Sequence, residues 1–138
     1  MGFTQDQDDT LEEGVLGEWM HTLIAYVRSA RPDLTNRQLA LLMLVYLTPG
    51  PHTVRGLAAN LSVSKPVITR ALNTLGAFGY IRRQKDESDL RNIFVERTEA
   101  GHEFLQAFAG LIEQSYGRSS ERPSAQDSSA RGASRHAS

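Results

Sequence analysis

Between Thr53 and Arg91 the chain gathers side chains suited to binding, with none arranged to react. Ser64, Lys65, Val67, Thr69, Arg70 and Asn73 share one exposed side of a helical spacing, with Pro66 among them. That side carries hydroxyls, two cations, an amide and a small apolar group. Arginine and asparagine can grip planar donor–acceptor pairs with two hydrogen bonds, while lysine and hydroxyls suit anionic oxygens. Thr53 and Arg55 stand just upstream, and Arg83, Lys85 and Arg91 just downstream, with Asp89 two residues before Arg91. The combined chemistry is neutralisation of a polyanion plus directional hydrogen bonding to polar edges. Catalytic chemistry is not in view: no Ser/His/Asp grouping, carboxylate pair in an apolar setting, phosphate loop or metal cluster appears. His21, His52, His102 and His136 share no metal-ligand spacing, and the absence of cysteine excludes disulfides and thiolate sites. No enzyme activity, metal or cofactor is expected.

The net charge of −1 is a poor guide to this chemistry, because the charge is unevenly placed. Residues 1–30 hold six acidic side chains and one basic; residues 31–97 hold ten basic and five acidic; residues 98–138 hold four basic and five acidic. The middle therefore carries an excess of five positive charges, and a phosphate backbone responds to that local field. Asp6, Asp8 and Asp9 occupy the place where a basic signal region would stand. No apolar run reaches the roughly 18–20 residues of a membrane span. A cytoplasmic location is expected.

The elements that must position these residues can be read from periodicity. Leu11, Val15, Leu16, Trp19, Met20, Leu23, Ile24 and Val27 recur at three and four, predicting a helix with one apolar face that ends near Ala30, before Pro32. Thr35 and Gln38 form a capping box for a second helix, whose run Leu39–Leu47 is apolar almost all round. Pro49-Gly50-Pro51 stops it. Thr53 caps a short third helix with Val54, Leu57, Ala58 and Leu61 inward. Ser64 caps a fourth, with Ile68, Leu72 and Leu75 inward. Residues 80–84 and 91–97 read as two strands of a hairpin across a charged turn. Thr98 caps a fifth helix, with Phe104, Leu105, Phe108, Leu111 and Ile112 on one face, ending near Tyr116.

The expected fold is thus mainly α with a small β-hairpin: a winged helix-turn-helix with flanking N- and C-terminal helices. One domain is expected over 11–116, with its binding core at 35–97. Residues 1–10 read as a disordered acidic N-terminus and residues 117–138 as a disordered tail rich in serine, alanine and arginine. A helix fits a major groove with its first residues at base edges, and a wing reaches backbone or minor groove, so double-stranded DNA is the expected partner.

The run L-S-V-S-K-P-V-I-T-R-A-L, then L-x-x-x-G-Y-I-R-R, D-E-S-D-L-R-N and V-x-x-T-E-A-G resembles the core of the MarR family of bacterial transcription regulators. The resemblance implies that the Ser64–Asn73 helix is the recognition helix. It also implies that Arg91 enters the minor groove while Asp89 orients it. It further implies a homodimer, a repressor role and response to a small effector. Dimerisation is expected through the N- and C-terminal helices, at Leu16, Trp19, Leu23, Phe104, Phe108 and Leu111. The family usually has two long helices after the wing, whereas one is read here.

Other readings stay open at this level. Charged residues on a helix face are most often simply solvated. Arg91 can pair with Asp86 or Asp89 within the wing. Strand alternation lets only one of Arg82 and Arg83 face DNA. A winged helix can also serve as a protein-binding module, since fold does not fix function.

Overall fold

The computed structural model describes residues 13–121, with side chains from Gly14 to Tyr116. In chain order the elements are α1 (Glu13–Arg28), α2 (Asn36–Leu47), β1 (His52–Thr53), α3 (Val54–Leu61), α4 (Lys65–Ala77), β2 (Ile81–Lys85), β3 (Ile93–Arg97) and α5 (Glu99–Glu121). They are the helices, turn and wing of a winged helix-turn-helix. The expected disordered segment 1–10, and the expected tail from residue 122 onward, lie outside the described residues. Two compact units divide at Arg31/Pro32 and at Ala107/Phe108.

Residues 32–107 hold the helix-turn-helix and the sheet. The capping box starts α2: Thr35 Oγ1 accepts from Gln38 N at 3.1 Å, and Gln38 Oε1 accepts from Thr35 N at 2.9 Å. Leu41, Leu42 and Val45 of α2 are wholly buried with Leu57 of α3 and Ile68, Leu72 and Leu75 of α4. Burying each such side chain contributes about 1.5–3 kcal/mol. Ile81 and Val95 add the inner face of the sheet.

The sheet has three strands in the order β1-β3-β2, not the two of a simple hairpin. The additional strand pairs His52 with Val95 and Thr53 with Phe94. Two residues are too few to show an alternation, so β1 leaves no periodic mark in the sequence. The return strand begins at Ile93 rather than Arg91, which leaves Arg91 in the turn. Register is fixed from Ile81↔Arg97 to Lys85↔Ile93.

A half-buried polar joint locks the start of α5 to this unit. Tyr46 Oη accepts from Thr98 N at 2.8 Å and donates to Tyr80 O at 2.8 Å. Thr98 Oγ1 donates to Gly79 O at 2.7 Å and accepts from Gly101 N at 3.0 Å, capping α5. Gly79 has φ of 81°, which a side chain resists, and this forms the exit turn from α4. Arg97 caps the far end of α2, donating to Val45 O at 2.9 Å and Thr48 O at 3.2 Å. A cation suits the negative end of a helix dipole.

The other unit joins α1 to α5 from Phe108 onward. Tyr26 meets Phe108 edge-on at 5.1 Å between ring centres. Thr22 Oγ1 donates to Ser115 Oγ at 2.8 Å, and Ser115 donates to Leu111 O at 3.1 Å. Thr22, Tyr26 and Ser115 are all buried. Among the described residues the apolar stripe of α1 is left uncovered; Leu11, expected on the same stripe, lies outside them. Val15, Leu16, Trp19, Met20, Leu23, Ile24 and Val27 are all exposed, with Val15 at 77% and Val27 at 70%. Periodicity shows which residues share a face but not what covers it.

Helix α5 runs to Glu121, five residues past its expected end at Tyr116, so residues 117–121 of the expected tail are helical. Gly117 weakens a helix by about 1 kcal/mol relative to alanine, which does not end α5.

Candidate nucleic-acid interface

The supporting helix-turn-helix is set by local backbone chemistry. Thr53 Oγ1 accepts from Gly56 N at 3.0 Å, starting α3. Ser62 ends it in the left-handed region, with φ of 54° and ψ of 44°. Its N–H bonds back to Ala59 O at 3.2 Å, and Val63 N to Ala58 O at 3.1 Å. Ser64 Oγ then accepts from Val67 N at 3.4 Å and caps α4, with Pro66 in the first turn. A tight, doubly bonded turn between two capped helices fixes where α4 points.

Because Ile68, Ala71, Leu72 and Leu75 are buried, the opposite side of α4 is presented outward. Lys65, Pro66, Thr69, Arg70 and Asn73 together line one open surface depression. Ser64 is exposed at its head, and Val67 is half-buried on its flank. Arg55 is exposed in the first turn of α3, and Thr53 is half-buried between its cap role and its pairing in β1.

The wing separates its cations by partner. Arg82 lies opposite Glu96 and pairs with it at 3.0 Å. Arg83 is on the same side of the ribbon as Ile81, and its guanidinium lies near Gly76 of α4. Arg83 and Lys85 are exposed. At the tip, Asp89 Oδ1 accepts both Arg91 N at 3.1 Å and Arg91 Nε at 3.2 Å. Of the two acids open to Arg91 in the sequence, Asp89 is the one that binds it. An exposed pair of this kind adds little stability. Its effect is to aim a side chain that remains 82% exposed.

Asp86 stiffens the same turn. The Ser88 hydroxyl donates to it at 2.7 Å and the Ser88 N–H at 3.0 Å, and these bonds hold its carboxyl below the usual range. A depressed carboxyl supports the turn above the ordinary carboxylate range and loses that support as pH falls through the lowered value.

Partnering sorts the ten bases of residues 31–97. Arg82 and Arg91 have carboxylates, and Arg97 is spent on the end of α2. Among the described residues, Arg31, Arg37, Arg55, Lys65, Arg70, Arg83 and Lys85 are in no ion pair. A count of charges along the sequence does not distinguish these groups. For Arg82 the signal is its register opposite Glu96. For Arg97 it is position just before the Thr98 cap.

The residues expected to dimerise fall into two sets. Leu16, Trp19 and Leu23 are exposed on α1, and Leu111 is half-buried. Phe104 and Phe108 are each 2% exposed, so they are core. Phe104 packs on Tyr80 at 4.7 Å between ring centres, and Phe108 on Tyr26. A ring enclosed by its own chain has no surface left for a second copy.

Among the described residues no helix is long and apolar enough to cross a membrane, and no cluster of histidine and acidic residues could hold a metal ion. Residues 34–93 match the family model described as MarR family. No curated protein matches the chain in sequence. The fold is similar to that of a mutant of S. aureus MepR bound to oligodeoxyribonucleotide, at 19% identity and TM-score 0.70, covering 86% of this chain and 85% of that one. It is also similar to transcriptional regulator Tm0710 from Thermotoga maritima, at 23% identity and TM-score 0.66, covering 83% and 78%. Transcriptional regulator PA4135 shares 26% identity at TM-score 0.58, covering 78% and 74%. The capped α4, the braced wing and these matches agree: residues 34–93 match the MarR family model, and the fold is similar to that of transcriptional regulators such as Tm0710.

Proposed function

We propose that this protein binds specific sites on double-stranded DNA as a homodimer and represses transcription from them. The observation that carries the reading is the outward face of α4, where Lys65, Thr69, Arg70 and Asn73 converge and, among the described residues, no carboxylate pairs with the two cations. In this reading α4 enters the major groove, where Arg70 suits guanine and Asn73 adenine, with Val67 placed for a thymine methyl. Ser64, Pro66 and Lys65 sit at the mouth of the groove, Thr53 and Arg55 reach the phosphates, and Arg83 and Lys85 support Arg91 at the minor groove. S. aureus MepR, which shares the fold, has been seen with oligodeoxyribonucleotide bound. A DNA partner places the protein in the cytoplasm. A small effector would act by changing the separation of the two α4 helices.

The homodimer rests on α1. Seven exposed apolar residues on one helix form the kind of patch that marks an interface. Trp19→Glu is expected to turn a dimer into a monomer in sedimentation velocity while leaving the helical circular dichroism unchanged. A dimer of undiminished affinity would remove α1 from the interface.

The test of the function is capture of genomic DNA fragments by the purified chain, followed by anisotropy titration of the enriched duplex. Saturable binding that survives excess random-sequence duplex is expected. No binding even at low salt would leave a protein partner as the better account of the winged helix.

A further inference from the structure

A second hollow lies on the flank of α4, away from the face that lines the first. It is about 210 Å³ and is lined by Thr35, Arg37 and Gln38 from the start of α2 and by Val67, Arg70 and Thr74 from α4. Arg70 lines both hollows and so forms the ridge between them. The major groove is about 12 Å wide and a helix with its side chains about 10–12 Å, so a helix seated there has its flanks against the phosphate walls. The hollow beside Arg70 is where one of those walls would run.

Arg37 has no evident structural reason for its place. It is exposed, and among the described residues it is in no ion pair. It lies in the first turn of α2, which has no acidic residue, so its charge sits at the unfavourable end of the helix dipole. The hollow it shares with Arg70 holds two cations, two hydroxyls and an amide, and no carboxylate.

We propose that this hollow seats a backbone phosphate of the bound duplex, held chiefly by Arg37, so that α2 fixes how deeply and at what angle α4 enters the groove. The proposal rests on the DNA-binding reading above and adds a positioning residue that carries no base preference of its own.

The test uses the full chain, anisotropy titrations over a range of salt, and two probes: a captured genomic duplex and a random-sequence duplex of equal length. For Arg37→Ala the plot of log affinity against log salt should be shallower by about 0.9 for each phosphate that the arginine no longer neutralises. The ratio of affinities for the two duplexes should stay as in the unaltered chain. The melting midpoint should hold or rise, since a misplaced cation is removed. Arg28→Ala, which removes one charge from exposed α1, should leave the slope unchanged. An unchanged slope for Arg37→Ala, or an equal change for Arg28→Ala, overturns the role of Arg37 while DNA binding stands. Failure of the unaltered chain to bind either duplex overturns both.

Discussion

Arg70→Ala is expected to weaken binding to a captured genomic duplex by about ten-fold or more, and to flatten the preference at one base pair in each half-site. Arg70 is exposed on the ridge of α4, unpaired among the described residues, and flanked by Thr69 and Asn73. A bidentate contact between arginine and a base edge discriminates by about 1–3 kcal/mol, which corresponds to roughly ten-fold or somewhat over a hundred-fold. The variant should fold normally, because an exposed side chain away from caps and core changes stability by less than about 0.5 kcal/mol. Titration against duplexes carrying each single base change checks it. Uniform weakening across all of them would show Arg70 to be a phosphate contact only.

The second large effect concerns stability. Gly101→Ala should destabilise the chain by about 3 kcal/mol, since a forced overlap and a broken, half-buried hydrogen-bond joint each cost roughly 1–3 kcal/mol. A Cβ at Gly101 would fall on Tyr46 Oη and on Tyr80 O. Those atoms bond to each other and cannot step aside without stranding Thr98 N, which donates to Tyr46. Gly110 in the same helix is the control. Nothing lies within 4 Å of a Cβ there, so Gly110→Ala should stabilise, by up to about 1 kcal/mol from helix propensity. Chemical denaturation of the two variants should therefore move in opposite directions. If both stabilise, the close packing at Gly101 is not as described.

Much of this architecture is legible in the sequence because its signals are local. The caps at Thr35, Thr53 and Ser64 place three helix starts within a residue of the expected ones, since a side-chain oxygen three residues before an amide is a short-range cue. The inward residues of α4 follow from the same periodicity that leaves Lys65, Arg70 and Asn73 outside. What escapes is long-range. The strand β1 exists only because β3 comes beside it. The joint of Tyr46, Tyr80 and Thr98 spans 52 residues of chain, and nothing around Tyr46 announces it. Arg37 and Arg70 are brought to one hollow by the packing of α2 on α4. The T-E-A-G run, by contrast, gains a physical meaning: Thr98 caps α5 and Gly101 yields room to Tyr46.

If two copies of α4 read successive major grooves of one duplex, the backbone must be shielded at two places set by the DNA helical repeat. Hydroxyl-radical footprinting of the purified chain on a captured genomic duplex should show two protected windows of equal affinity. Their centres should lie about one helical turn, or roughly 34 Å, apart, and both should be lost together in Trp19→Glu at limiting concentration. A single window, or two whose spacing is unrelated to the helical repeat, would contradict a dimer that reads DNA through α4.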